Sequence, residues 1–183
     1  MKKRPDEVTR REAAERFRAR RAELTEALTA LLGRREAVAP VDDLAAAAAV
    51  EREFMASCRD AEPHEWAMVR HGWPEDDPTA CAETLHALAR NLGARPAWLV
   101  VPGHPAQAVA LPSDAVLDNP FGFAALTERY APELRLLDRE VAAGLSLARR
   151  AHHMGTIALY GWALEVWGEP WLSAATRALR GEG

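Results

Sequence analysis

Residues 152–171, HHMGTIALYGWALEVWGEPW, hold three of the six tryptophans of a 183-residue chain, and how they fold decides the architecture. The apolar run from Met154 reaches only Leu164 before Glu165 interrupts it. That is well short of the ~20 apolar residues a helix needs to cross a bilayer, so a membrane span is not expected. On a helix, Ile157, Tyr160, Leu164, Trp167 and Trp171 share one face, and Leu159, Trp162 and Val166 cover much of the rest. On a strand, alternation groups Tyr160, Trp162, Leu164 and Val166 instead. The spacing is read as a buried helix over 155–167, although its aromatic residues are also β-prone. Three tryptophans burying on the order of 150–250 Å² each make it the centre of a core rather than a cofactor pocket.

Working outward, helical signals dominate. Phe17, Leu24, Leu28 and Leu31 form a stripe between charged residues, predicting a helix from Pro5 to Leu32 that Gly33 stops. Pro40 and Asp42-Asp43 open a second, alanine-rich helix with Leu44, Ala48, Phe54, Met55 and Cys58 inward. Asp77 caps a third, with Pro78 in its first turn, Leu85, Leu88 and Leu92 as its stripe and Gly93 at its end. Asn119-Pro120 starts a short helix, FGFAALTERY. Pro132 starts another, in which Leu134, Leu137, Val141, Leu145 and Ala148 keep heptad-like spacing. Only Trp98–Val101 and Ala108–Leu111, either side of a Pro/Gly turn, read as strands, with EWAMVRHGW at 65–73 as the one further strand candidate. The predicted fold is therefore α+β and predominantly helical, with a small antiparallel hairpin or sheet near residues 97–111. A basic amphipathic helical arm spans 1–34 and a single globular domain spans 35–183.

Hydrophobic residues at 49% and charged residues at 27% are globular proportions that argue against wholesale disorder. The net charge of −4 conceals an asymmetry. Residues 1–21 carry nine Lys/Arg against four acids, and the remainder carries fourteen against twenty-three. Two cysteines, Cys58 and Cys81, make no disulfide framework, and no apolar segment follows the basic N-terminus, so a cytoplasmic protein is expected.

Sites of chemistry are sparse. His64-Glu65 begins a zinc-protease motif, but Met68 stands where the second histidine belongs. His152 and His153 are adjacent and diverge on a helix or a strand alike, so they do not chelate one ion. Cys58, His64, Cys81 and His86 lack the tight pairing of structural zinc ligands. There is no G-x-S-x-G, phosphate loop or dinucleotide fingerprint. No metal, cofactor or catalytic residue is therefore assigned. The stretch EPHEWAMVRHGWPEDDP, 62–78, concentrates the residue types favoured at binding surfaces: Trp66, Arg70, His71 and Trp73 are candidate contacts. Arg16 and Arg20 on the N-terminal helix complete the set.

These features predict a small protein-binding chain with a regulatory, adaptor or toxin-neutralising role. Its partner is another protein, or a second copy joined through the N-terminal helix. Two alternatives accompany that reading. One is a small enzyme with a His/Cys pocket around residues 58–86, drawing on Cys58, His64, His71 or Cys81. The other is nucleic-acid binding through the basic helix, with Arg16, Arg18 and Arg20 on phosphates, although no aromatic interleaving supports it.

Overall fold

The computed structural model of the chain describes residues 5–33, 38–62, 67–103, 105–126, 133–154 and 157–182, with side chains from residue 8 onward except those of 39 and 151–160. Three helices lie where capping and periodicity put them: α1 (Pro5–Leu32), α2 (Leu44–Ala61) and α3 (Pro78–Leu92). The Asp43 carboxylate accepts from the Ala46 N–H at 2.9 Å and Asp77 from that of Ala80 at 3.2 Å, satisfying orphan donors of α2 and α3. Strands β3 (Pro96–Val101) and β4 (Gln107–Pro112) form the expected hairpin, with Trp98 opposite Ala110. Short helices α4 (Ser113–Leu117) and α5 (Pro120–Ala125) follow, the latter capped by Asn119.

Beyond these elements the helical expectation fails. The chain is α+β, its described residues built around one seven-stranded antiparallel sheet, so a predominantly helical body with a small hairpin is incorrect. The region after Pro132 is two strands, β5 (Glu133–Asp138) and β6 (Gly144–Met154), and the 155–167 segment contains β7 (Ile157–Trp167) rather than a helix. With β1 (Ala39–Pro40) and β2 (Met68–Pro74), the spatial order is β1-β4-β3-β5-β6-β7-β2, and α6 (Trp171–Leu179) ends the described chain. The cause of the misreading is that both faces of the sheet are covered. One cluster joins Leu134, Leu136, Leu145, Leu164 and Val166 to Leu85, Leu88, Trp171, Phe123 and the Leu24 and Leu28 side chains of α1. The opposite face packs Val100, Leu137, Met68 and Trp167 under Phe17 and the Ala47, Val50 and Phe54 side chains of α2. A strand buried on both sides reads as a nearly continuous apolar run, and period alone does not separate it from a buried helix. Met55, expected inward, is 44% exposed.

Two polar fixtures hold this frame. At the end of β5, Asp138 has a fully buried side chain. Its carboxylate accepts from Arg95 Nε at 2.5 Å, from Trp171 Nε1 at 2.8 Å and from the Glu140 N–H at 2.8 Å. Beside the β3–β4 turn, the Arg20 guanidinium donates to the carbonyls of Pro102 at 2.5 Å and Pro105 at 3.1 Å. Gly103 lies beneath that guanidinium at φ +144°, where a Cβ would collide with it.

Candidate functional site

Within the 62–78 stretch read as a binding surface, Met68–Pro74 is the edge strand β2, in keeping with the strand candidate at 65–73, and it is paired on one side with β7. Strand alternation separates its side chains. Arg70 contacts Glu165 at 3.5 Å and Glu62 at 3.8 Å, on the face that carries α2. His71 points the other way, exposed, with its ring edge-on to Trp73 at 4.6 Å between centroids. Trp73 is 7% exposed and belongs to the core. Trp66 and His64 lie outside the described residues. Arg16 is exposed on α1, while Arg20 is engaged with the β3–β4 turn. Because α1 lies at the β1–β4 end of the sheet and β2 is its other edge, several 4.8 Å strand spacings part the two candidate sets.

The His/Cys pocket does not assemble among the described residues. Cys58 lies on α2 against one sheet face, Cys81 on α3 against the other, and both are free thiols. Burial, helped by the Asp77 charge, pushes the Cys81 thiol up to about 12. Burial also raises Cys58, and the Glu165 and Glu62 charges add to it against the partial opposition of Arg70 and Arg150. Neither thiol is therefore an activated nucleophile. Iodoacetamide at pH 8 is expected to alkylate Cys58 more slowly than an unfolded cysteine and to leave Cys81 unmodified until denaturant is added, as mass spectrometry of timed samples would show. Prompt modification of Cys81 would contradict the packing described. His86 donates from Nε2 to the Asp118 carbonyl, 3.1 Å away. Among the described residues no group of three or more His, Cys, Asp or Glu is arranged to hold a metal ion, and no helix is long and apolar enough to cross a membrane.

Concavity lies elsewhere, along α1. Beside its buried stripe runs a second stripe of Arg18, Arg21, Ala22, Thr25, Glu26, Thr29 and Ala30, which with Val38 and Pro40 lines a groove of about 940 Å³. The Thr25 hydroxyl donates to the Arg21 carbonyl at 2.8 Å and that of Thr29 to the Thr25 carbonyl at 2.7 Å. Both hydroxyl protons are thus spent within the helix, and with the alanines the floor is made of small side chains. Charges stand at the rim: Arg21 pairs with Asp42 across from β1, while Arg18 and Glu26 flank the helix side. Sequence periodicity found the buried face of α1 and missed this one, because alanine and threonine register neither as a hydrophobic stripe nor as a charged one. The chain matches no protein family, curated protein or solved structure.

Proposed function

We propose that this chain is a protein-binding module, regulatory or adaptor in role, that seats a segment of its partner in the groove between α1 and β1. The observation that carries the reading is the groove itself, a small-residue floor with satisfied hydroxyls and a rim carrying charges of both signs. Such a surface offers close approach and orientation without the convergent, activated groups that a reaction requires. The thiols support the same choice, since burial keeps both protonated. Two unpaired cysteines also agree with a cytoplasmic setting. A nucleic-acid role loses weight because Arg20 and Arg21 are engaged with the Pro102 and Pro105 carbonyls and with Asp42.

The test compares the tagged wild-type chain with an Ala22→Arg, Ala30→Arg variant, which fills the groove with two long side chains at exposed positions of its lining. Both proteins should melt at similar temperatures. A partner held by the groove should bind the variant at least about tenfold more weakly, the loss of roughly one good interfacial contact. The same comparison by sedimentation covers a second copy of the chain as the occupant. Partners recovered equally by the two proteins, with an unchanged oligomeric state, would remove the groove from the function.

A further inference from the structure

A second concavity lies at the far end of the β3–β4 hairpin, where paired Pro96 and Pro112 meet the turn that follows β5. Ala94, Arg95, Pro96, Ala110, Leu111, Pro112 and Arg139 line a cleft of about 410 Å³. Two guanidinium groups border it. Arg95 is anchored through Nε to the buried Asp138, at 2.5 Å, and reaches Glu140 through Nη2 at 3.2 Å. Arg139 lies over the half-buried indole of Trp98, 4.6 Å from the ring centroid. A guanidinium attracted to an aromatic face by its charge uses none of its N–H donors in the contact. Among the described residues none accepts a hydrogen bond from the Arg139 guanidinium or from Nη1 of Arg95. The cleft thus combines an apolar floor with unspent donors of the kind that match a carboxylate, one of the two guanidinium groups being anchored by Asp138.

We infer that the cleft receives an acidic side chain of a partner protein, its carboxylate taken by Arg139 and Arg95 and its apolar neighbour resting on Pro96 and Pro112. A protein source fits better than a free small anion on two grounds. The volume exceeds what a lone carboxylate fills, and the exposed surface continues over Pro96 and Pro112, which an isolated anion would leave untouched. Asp138 and Glu140 balance the charges of Arg95 and Arg139, so the cleft is neutral overall and the carboxylate is selected by the free N–H edges of Arg139 and Nη1 of Arg95 rather than by net charge. The cleft shares no residue with the α1–β1 groove, so the two readings can fail independently.

The full chain is titrated with three probes: a terminally blocked peptide of alternating proline and glutamate, its proline and glutamine counterpart, and sodium acetate. Binding is read from the side-chain Nε–Hε signals of Arg95 and Arg139. The glutamate peptide should shift both signals saturably. The glutamine peptide and acetate should each bind at least about tenfold more weakly, as should the glutamate peptide to Arg139→Gln, whose substituted side chain is solvent-exposed. Equal binding of the two peptides, no saturable shift, or an affinity unchanged in Arg139→Gln overturns the site. Acetate binding as tightly as the glutamate peptide overturns the protein as its source.

Discussion

Asp138→Asn is expected to cost about 3–5 kcal/mol of folding free energy, a large part of the roughly 5–15 kcal/mol that holds a domain together. The carboxylate is fully buried and its oxygens are saturated. Oδ2 accepts from Arg95 Nε and Trp171 Nε1, and Oδ1 from the Glu140 and Val141 N–H groups at 2.8 and 3.3 Å. An amide of the same shape must turn its NH₂ toward one of these donor pairs, leaving buried donors facing a donor, and it leaves Arg95 without its counter-charge. Three elements loosen together, since Trp171 begins α6, Arg95 leads into β3 and the turn after Asp138 joins β5 to β6. Urea unfolding of wild type and variant at pH 7 would measure the difference, and a loss below about 1 kcal/mol would show that the node is not needed.

The same residue sets a pH dependence. Burial alone would raise the affinity of Asp138 for its proton, but the hydrogen bonds from Arg95, Trp171 and the Glu140 N–H, with the Arg95 charge, outweigh it and hold the carboxyl below its usual range. A carboxyl depressed in the folded state stabilises fully above its unfolded value, near ~3.9, and loses that contribution as pH falls through the lower folded value. The gap between wild type and Asp138→Asn should therefore be constant above about pH 5 and narrow below about pH 4.

What the sequence revealed and what it hid have separable causes. Helix ends were legible because Asp43, Asp77 and Asn119 act locally, each accepting from an N–H three residues on. The β3–β4 hairpin was legible because two β-prone runs flank one Pro/Gly turn. The β5–β6 hairpin was hidden by an accident of spacing. Leu134, Leu137, Val141, Leu145 and Ala148 recur as on a helix, yet Leu134 and Leu137 pack on opposite sheet faces and Val141 is 42% exposed in the turn. The overlooked local signal was Asp138 itself, whose carboxylate binds the N–H groups two and three residues ahead, as turn-forming aspartates do. The arginine cleft was hidden for another reason. Arg139 meets Trp98 only because Leu137 lies opposite Trp98 across β5 and β3, a register that no linear pattern discloses.

Trp167→Ala is expected to cost a further 3–5 kcal/mol, on the scale of about 3–5 kcal/mol for burying and then deleting a large aromatic, and it probes the segment on which the fold turns. The side chain is fully buried beneath α2, edge-on to Phe54 at 5.3 Å between centroids, and its indole N–H donates to the Ser57 hydroxyl at 3.0 Å. The opposite residue on β6 is Gly144, where a Cβ would strike the Leu136 carbonyl and come within 3.2 Å of the indole. The indole therefore ties α2 to the sheet over a position that only glycine fits, and alanine at 167 leaves a void that neither the Gly144 backbone nor helix α2 can fill without moving. Trp167→Phe keeps most of the apolar contact and gives up the bond to Ser57, so it should lose less, about 1–2 kcal/mol more than a neutral surface change. Urea midpoints at constant slope would rank wild type above Trp167→Phe and Trp167→Ala last. A Trp167→Ala protein as stable as Trp167→Phe would mean that α2 is not held to the sheet by this ring.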